Sequence, residues 1–284
     1  MLAYRHGFHA GNHADVLKHM TLVAVLDHLN QKEKGYRVVD THAGAGAYAL
    51  SSRHAQQHRE HEGGIGRLWA EPGLPPAVQR YVDEVRRFND GPALRHYPGS
   101  PELARRLMRA QDQLRLFELH PTDHARLAAR MRGDARVQVH VTDGFAALRG
   151  QLPPPTRRGL LLIDPPYEIK ADYARVLAAV REALARFAEG VVLVWLPQLQ
   201  LLEAARLPQR LVAAVDGVAR KGWLLARLTV QAPRERGLGL LGSQVFVVNP
   251  PHTLAPALRQ ALPWLAATLA DDPRIAAWEC RTSV

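Results

Sequence analysis

The sequence has little cysteine and no long apolar run. Cys280 is the single cysteine among 284 residues, so neither an intrachain disulfide nor a multi-thiolate metal site can form. No stretch approaches the roughly 20 consecutive apolar residues that a membrane helix needs. The histidine-rich N-terminus lacks the apolar segment of a secretory signal. These absences favour a reducing compartment, and we expect a cytoplasmic protein without a membrane segment.

Acidic residues are also scarce relative to basic ones. The chain carries 37 Lys and Arg against 27 Asp and Glu, a formal net charge of +10. Such a surplus attracts polyanions, of which nucleic acid is the commonest, although the arginine-rich composition of a GC-rich genome would give the same balance. Hydrophobic residues make up 47% of the sequence, as is usual for a packed core. The length favours one domain with an insertion, and the lack of a long exposed apolar stripe favours a monomer.

Short apolar runs, most of them ending in or just before a polar residue, predict seven β-strands. These strands span residues 36–40, 114–118, 137–143, 160–164, 191–196, 224–230 and 244–248. Helices lie between most of them, and Asn12 predicts the N-cap of an additional first helix that ends near Gly35. This alternation predicts an α/β, Rossmann-like fold with a mainly parallel sheet and helices on both faces, as is common among S-adenosylmethionine-dependent methyltransferases.

One polar helical segment interrupts the alternation. We predict that residues 51–97 form an inserted helical subdomain, and that 1–50 together with 98–284 form the methyltransferase domain. Beyond Leu254 the pattern predicts one or two helices and an irregular tail. The insertion could bind RNA through four of its arginines or present a solvated face. These arginines are Arg53, Arg59, Arg86 and Arg87.

The sharpest motif is Asp164-Pro165-Pro166-Tyr167. It follows the apolar run 159–163, so it lies at the carboxyl end of a buried strand, where open α/β sheets bind ligands. An adenine amino group is a poor nucleophile because its lone pair is delocalised into the ring. The carboxylate of Asp164 and the carbonyl of Pro165 could accept its two N–H bonds and direct the lone pair towards a methyl donor. Tyr167 offers a flat face to an unstacked base, so we predict that Asp164, Pro165 and Tyr167 are catalytic.

A strand followed by Asp-Pro-Pro could instead be a simple tight turn, and the sequence contains an internal control. Asn249-Pro250-Pro251-His252 also follows a strand-like run. It has no carboxylate, and its fourth residue is not a large stacking aromatic. We therefore interpret this second motif as a structural turn and the first as a catalytic one.

Cofactor-type residues end three consecutive predicted strands. The turn 40–46 contains Gly44, and glycines let the backbone approach a ligand at the first strand-to-helix turn. Glu118 at the end of the next strand suits the two ribose hydroxyls of an adenosyl cofactor. Asp143, followed by Gly144, could accept from the adenine amine of the cofactor. Each carboxylate could alternatively cap a helix, as Asp143 could do for the helix that follows it.

Four histidines lie near the N-terminus, and they raise the question of a metal. His6, His9 and His13 could be imagined around one metal ion. The segment has no His-Glu-x-x-His pattern and no clear carboxylate ligand set. We expect no metal, and we interpret these histidines as packing, hydrogen-bonding or substrate-contacting residues.

Taken together, the sequence resembles the RlmJ family of 23S rRNA adenine-N6 methyltransferases nearly from end to end. The similarity is loosest in the insertion and from about residue 200 onward. The segments that carry it are 4–6, 8–19, 40–46, 97–101, 118–121, 163–168 and 249–251. The presence of Asn249-Pro250-Pro251 in the family pattern supports a structural role for that turn.

The resemblance implies a Rossmann-like fold with a small helical insertion and S-adenosylmethionine as cofactor. The family's cofactor pocket corresponds to His19, His42, Ser100, Glu118, Asp143, Gly144 and Asp164. The proton acceptor corresponds to Asp164. Because the family's N-terminal motif covers the active site, Tyr4, His6 and Lys18 are implied as substrate contacts, with Lys18 able to meet a phosphate as a point charge.

The implied reaction is methylation of the N6 amine of one adenine in 23S rRNA, adenine 2030 in standard rRNA numbering. A DNA adenine-N6 methyltransferase is the nearest alternative, because Asp-Pro-Pro-Tyr serves amino groups of either nucleic acid. A non-catalytic RNA-binding protein with a methyltransferase-like fold is a second alternative. The intact Asp164 and Tyr167 argue against the latter, since a binding module has no need of an amine acceptor there.

Overall fold

An eight-stranded sheet forms the centre of the computed structural model, which describes residues 6–233 and 239–283. The strands in chain order are β1 (Arg37–Asp40), β2 (Ala47–Ala49), β3 (His96–Pro98), β4 (Gln113–Phe117), β5 (Val137–His140), β6 (Gly159–Ile163), β7 (Val191–Gln198), β8 (Trp223–Thr229), β9 (Gly242–Val248) and β10 (Ala277–Thr282). The central sheet has the order β10-β8-β9-β7-β6-β1-β4-β5, and β2 pairs with β3 in a separate ribbon. The five neighbouring strands β7, β6, β1, β4 and β5 run parallel to one another. All seven strands expected from the sequence are therefore confirmed.

The eighth strand of the sheet corrects the expectation of an irregular C-terminal tail. Residues of β10 pair antiparallel with β8, from Ala277 opposite Thr229 to Thr282 opposite Leu224. The strand lies at the edge of the sheet and is largely exposed, with Trp278 45% exposed. Its stability comes from main-chain pairing with a strand about 50 residues earlier in the chain. The local pattern of apolar residues cannot predict pairing with a strand so distant in the sequence.

Helices cover both faces of the sheet. They are α1 (His13–Asn30), α2 (Arg53–His58), α3 (Ile65–Trp69), α4 (Pro76–Asn89), α5 (Ser100–Leu107), α6 (Pro121–Met131), α7 (Gly144–Gln151), α8 (Lys170–Arg186), α9 (Leu202–Val215) and α10 (Leu254–Leu269), with 3-10 turns at His6–Phe8 and Glu60–Gly63. Within the described ranges, no helix is both long enough and apolar enough to cross a membrane.

Helix α1 is largely buried, and its residues Lys18 and His19 line the cleft that is described in the next section. The side chain of Asn12 accepts hydrogen bonds from the backbone N–H groups of Ala14 and Asp15, which confirms the predicted N-cap. The helix ends at Asn30 rather than near Gly35, because the N–H of Gln31 closes the last turn on the carbonyl of His28. Most of its residues are buried, charged ones included, so this helix fixes several polar side chains inside the protein.

The segment proposed as an insertion starts and ends at the ribbon of β2 and β3, where Tyr48 lies opposite Tyr97. Its apolar residues Leu68 and Tyr81 share one hydrophobic cluster with Leu17 of α1. The segment is thus packed into the main core, and the boundary at 51–97 stays a prediction. Of the four arginines considered for RNA binding, three form local ion pairs and Arg53 is exposed. These pairs are Arg59–Glu62, Arg86–Asp83 and Arg87–Glu84.

Candidate active site

A cleft of about 1100 Å³, including its open mouth, lies at the carboxyl ends of β1, β4, β5 and β6. This is the edge at which open α/β sheets bind ligands. Nine of the residues expected at the site line this cleft. They are Lys18, His19, His42, Gly44, Ser100, Glu118, Asp143, Gly144 and Asp164. The structure therefore brings together side chains that are far apart in the sequence.

The turn after β1 forms one wall of the cleft. Gly44 has a backbone φ of +62°, and a Cβ atom at this position would lie 2.3 Å from the hydroxyl oxygen of Tyr48. Only glycine fits both the left-handed conformation and this close approach. The N–H of Gly44 donates to Glu118 Oε2 at 2.8 Å. The glycine turn is thereby attached to the carboxyl end of the neighbouring strand β4.

Glu118 has the chemistry that a ribose diol requires. Its second oxygen, Oε1, accepts from the N–H of His120 at 2.6 Å, and each carboxylate oxygen still has a lone pair for a further donor. Burial raises the pKa of Glu118 above its ordinary value. Beside it in the cleft, Nδ1 of His120 is buried and has no hydrogen-bond partner among the residues that the structure describes, although Asp123 Oδ2 lies 3.9 Å away. A polar ligand would supply that partner.

Asp143 and Gly144 begin helix α7. Oδ1 of Asp143 accepts from the N–H of Phe145 at 2.9 Å, which confirms the capping alternative, and Oδ2 is bonded by the guanidinium of Arg175. A Cβ atom on Gly144 would lie 2.2 Å from the carbonyl oxygen of Thr41. This glycine lets two strand-end turns approach each other. The role of both residues in cofactor binding stays a prediction.

Asp40, the last residue of β1, joins two expected site residues and was missed as a site residue in its own right. Its Oδ2 accepts from the hydroxyl of Ser100 at 2.6 Å, and its Oδ1 accepts from the N–H of His42 at 3.2 Å. Burial raises the pKa of Asp40 to about 6. Its position at the end of the first strand was the available signal, and its full burial explains why it supports the wall of the cleft from behind.

Two of the three histidines that line the cleft, His19 and His42, are held in defined orientations. Nδ1 of His42 lies 2.8 Å from the hydroxyl oxygen of Thr41, and burial lowers the pKa of His42 to about 4. The imidazole of His42 is therefore neutral at physiological pH. Nδ1 of His19 lies 2.7 Å from the hydroxyl oxygen of Tyr97, and the two rings stack with centroids 5.6 Å apart.

Asp164 lies in the cleft directly after β6, with 14% of its side chain exposed. Its Oδ2 accepts from the ammonium of Lys18 at 2.5 Å, and Lys18 lies 2.8 Å from Asp15 Oδ1. Lys18 is only 4% exposed. In the structure the ammonium of Lys18 is thus engaged by two carboxylates rather than presented to solvent as a phosphate contact. Sequence reasoning missed Asp15, although an acid and a base three residues apart on a helix indicate an ion pair.

The structure does not bring Tyr167 to the cleft, which corrects the expectation of an exposed stacking face. Tyr167 is 6% exposed and its ring packs against Tyr173 and Trp195. Its hydroxyl donates to the carbonyl of Trp195 at 2.7 Å. A backbone φ of +53° directs the ring back into the core. Pro165 is also buried and is not among the residues that line the cleft. The role of its carbonyl as an acceptor for the adenine amine stays a prediction.

The N-terminal histidines and Tyr4 complete the comparison with expectation. Tyr4 lies outside the described residues, and so does the side chain of His6. His9 forms an ion pair with Glu60 at 3.0 Å, and burial lowers the pKa of His13 to about 4. In the described parts of the chain, no three His, Cys, Asp or Glu side chains lie close enough together to hold a metal ion.

A Rossmann-like sheet with a glycine turn, strand-end carboxylates and an Asp-Pro-Pro motif in one cleft defines the class of S-adenosylmethionine-dependent methyltransferases. Within this class, residues 33–280 match the family model described as ribosomal RNA large subunit methyltransferase D, RlmJ. The chain belongs to this family.

Individual relatives agree with this assignment. The chain is 42% identical over 269 residues to the ribosomal RNA large subunit methyltransferase J of Escherichia coli K12, covering 95% of this chain and 94% of the relative. It is 42% identical over 273 residues to the Haemophilus influenzae protein of the same name, covering 96% and 95%. The solved structure of protein LPL1258 from Legionella pneumophila superposes with a TM-score of 0.87 at 30% identity, covering 96% and 98%.

Proposed function

We propose that this protein transfers a methyl group from S-adenosylmethionine to the N6 amine of an adenine in 23S rRNA. The observation that carries the proposal is the position of Asp164, which lies after β6 in the same cleft as the Gly44 turn and Glu118. A methyl acceptor held by Asp164 would therefore be adjacent to an adenosyl cofactor held by the other strand ends. The family names of the relatives supply the class of RNA.

The residues of the cleft fit an adenosyl cofactor. Glu118 retains acceptor capacity for a ribose diol, and Nδ1 of the half-buried His120, which makes no hydrogen bond to the residues that the structure describes, lies beside it. The left-handed Gly44 leaves space that a side chain would fill. Phe117 and Leu119 add apolar surface to the same wall. We propose that His19, His42, Gly44, Ser100, Asp143 and Gly144 complete this pocket, as the family resemblance implies.

The chain's own residues would orient the amine and remove its proton. When bound, S-adenosylmethionine supplies an electrophilic methyl group on a sulfonium. Asp164 Oδ1 accepts one N–H of the adenine amine, and the Pro165 carbonyl accepts the other, so that the nitrogen lone pair points at the donor. Formation of the N–C bond, with the sulfonium S–C bond breaking to release S-adenosylhomocysteine, would leave a surplus proton on the nitrogen. Asp164 Oδ1 is the atom that we assign to accept it.

A direct assay tests the proposal. The purified protein is incubated with labelled S-adenosylmethionine and protein-free 23S rRNA from cells that lack this gene, and the product is digested to nucleosides. We expect N6-methyladenosine at a single site. Incorporation into duplex DNA, with none into 23S rRNA, would contradict the RNA substrate and favour a DNA methyltransferase. Cofactor binding without transfer to either nucleic acid would contradict catalysis.

The N-terminal motif gives a second test of the substrate side. We propose that Tyr4 and His6 contact the substrate, as the resemblance implies, and that Lys18, whose ammonium is engaged by Asp15 and Asp164, contributes through Asp164 instead of by a direct contact. Tyr4→Ala should lower methyl transfer while the affinity for S-adenosylmethionine, measured by calorimetry, remains close to that of the wild type. Equal loss of both properties would contradict a substrate role for Tyr4.

The rRNA substrate also favours a cytoplasmic location, and we retain the prediction that the protein is a monomer. Light scattering during gel filtration tests the oligomeric state, since the monomer has a mass of 31.5 kDa. A mass of twice this value that persists on dilution would contradict the monomer.

A further inference from the structure

A chain of three charged side chains links helix α1 to the candidate amine acceptor. Lys18 Nζ lies 2.8 Å from Asp15 Oδ1 and 2.5 Å from Asp164 Oδ2. The exposed fractions of these side chains are 1% for Asp15, 4% for Lys18 and 14% for Asp164. Removing charges from water carries a large desolvation penalty. A buried carboxylate–ammonium–carboxylate arrangement at a reaction site is therefore an expensive way to build a helix terminus, and it calls for a functional reason.

The arrangement restricts the carboxylate of Asp164. Its Oδ2 is fixed by the short contact with the ammonium. No group among residues 6–233 and 239–283 donates a hydrogen bond to its Oδ1. With one oxygen fixed, the carboxylate plane has little freedom to rotate. Oδ1 is consequently the oxygen that remains for an incoming amine.

Asp15 in turn restricts Lys18. Asp15 is the third residue of α1, and its Oδ2 accepts from the N–H of Gly11 at 2.8 Å. Its other oxygen is directed at Lys18, one helical turn further on. The ring of Trp195 lies 5.9 Å from Lys18 Nζ and forms another wall around the ammonium. The flexible lysine side chain is thus enclosed in a single position between two anions and an indole.

The charge state of Lys18 is consistent with this role. Burial by itself would lower the pKa of Lys18, but the carboxylates of Asp15 and Asp164 outweigh burial and raise it above its ordinary value. The ammonium therefore stays charged over the whole working range of pH. With Asp15 uncharged, a single carboxylate would have to hold the buried ammonium.

We propose that Asp15 is a positioning residue for methyl transfer, which acts through Lys18 to hold Asp164 Oδ1 towards the adenine amine. This inference rests on the proposed methyltransferase function. Asp15 and Lys18 do not donate or accept the reacting proton in this scheme. They set the orientation of the group that does, and a misplacement of about 1 Å in such a group can lower a rate about 10²-fold.

The competing explanation is that Asp15 only stabilises the start of α1, as acidic residues in a first helical turn do. Asp15→Asn separates the two explanations. An asparagine oxygen can still accept from the N–H of Gly11, but the negative charge that faces the ammonium of Lys18 is lost. Glu102→Gln is the matched control, because Glu102 is also the third residue of a helix, is 1% exposed and pairs with Arg105 three residues later. Glu102 does not line the cleft.

The experiment measures kcat, KM for 23S rRNA and the dissociation constant of S-adenosylmethionine. Asp15→Asn should lower kcat roughly ten- to a hundredfold, with KM and cofactor affinity within about twofold of wild type. Glu102→Gln should retain wild-type kcat. Lys18→Met should lose at least as much as Asp15→Asn, and the double variant should equal Lys18→Met because both substitutions remove the same effect.

Three outcomes would overturn the proposal: wild-type kcat in Asp15→Asn, an equal loss in Glu102→Gln, or losses that multiply in the double variant. If Asp15→Asn does not fold, the comparison between Lys18→Met and the double variant decides, since the latter removes both charges together. Inactive wild-type protein would instead reject the proposed function itself.

Discussion

The protein contains two turns in which a strand is followed by a polar residue and two prolines, and the polar residues of these turns lie in different surroundings. At the first turn, Asp164 lies in a cleft and shares one carboxylate oxygen with Lys18. At the second turn, Asn249 is 1% exposed, and all of its side-chain polar atoms are used by the protein's own backbone. Its Nδ2 donates to the carbonyls of Ala188 and Gly190, and its Oδ1 accepts from Lys221 N–H.

Strand direction explains the difference. Strand β6 runs parallel to its neighbours, so its end lies at the ligand-binding edge. Strand β9 is antiparallel to β7, with Val248 opposite Val192 near the start of β7. The Asn249 turn therefore lies at the opposite edge of the sheet. The same tripeptide outline lines the cleft at one edge of the sheet and binds the protein's own backbone at the other.

The backbone strain also falls at different positions. Asn249 itself has a φ of +52°, a conformation that asparagine tolerates comparatively well. At the first turn the left-handed residue is Tyr167, with a φ of +53°. For a bulky aromatic this is unusual, and such outliers are enriched at functional sites. The strain at Tyr167 belongs to the turn that presents Asp164.

The same substitution at both turns gives the largest expected contrast. Asp164→Ala removes the proposed amine acceptor, so methyl transfer to 23S rRNA should fall by about 10² to 10⁴. Circular dichroism would check that the variant is folded. A folded Asp164→Ala protein with wild-type turnover would remove the functional half of the comparison.

Asn249→Ala should change stability instead of chemistry. It removes three hydrogen bonds and leaves the backbone groups at Ala188, Gly190 and Lys221 without these partners. At about 1 kcal/mol for each bond, the free energy of unfolding should fall by about 3 kcal/mol. Urea denaturation measures this fall, and the folded fraction should turn over at the wild-type rate. A stable but inactive variant would contradict the structural interpretation.

The pH dependence of stability tests the environment of His42, which lines the same cleft as Asp164. The pKa of His42 is lowered to about 4 in the folded protein and lies near 6.5 in the unfolded chain. The unfolded chain therefore binds the proton more tightly, so the stability contributed by neutral His42 is complete above pH 6.5 and is lost as pH falls towards 4. At pH 5 this loss is about 2 kcal/mol.

In His42→Gln, the stability difference between pH 8 and pH 5 should accordingly be about 2 kcal/mol smaller than in wild type. Urea denaturation at both pH values provides the measurement. An identical pH dependence in the two proteins would show that His42 is not held neutral by burial.

Tyr167→Phe gives the smallest expected effect. The substitution keeps the buried ring but removes the hydrogen bond to the carbonyl of Trp195. The free energy of unfolding should fall by about 1 kcal/mol. No fall would indicate that the hydroxyl of Tyr167 lies elsewhere in solution, for example in the cleft, and would reopen its stacking role.

Lys18, His19, His42 and Ser100 were expected at the cleft only from the family resemblance. Local patterns in the sequence were sufficient to predict the seven strands, the Asn12 cap and the strand-end residues Gly44, Glu118, Asp143, Gly144 and Asp164. Each of these depends on short-range periodicity, on capping chemistry or on the rule that parallel strands end at one edge. Strand β10 could not be predicted in this way, because its stability depends on pairing with the distant β8.

Two side-chain environments were also beyond the sequence. The spacing of Asp15 and Lys18 indicates a helical ion pair, but the approach of Asp164 joins residues 146 positions apart. The burial of Tyr167 depends on its backbone conformation and on the carbonyl of Trp195. Both cases require knowledge of where one element packs against another, which no local pattern contains.

A single turn of helix α1 carries Asp15, Lys18 and His19. An α-helix advances about 100° in rotation with each residue, so one inserted or deleted residue between Asp15 and Lys18 would turn the lysine away from both carboxylates. His19, which also lines the cleft, would move with it. This turn can tolerate exchanges of amino acid far better than changes of length. Loops elsewhere in the chain can lengthen or shorten, whereas here the contacts depend on the spacing itself.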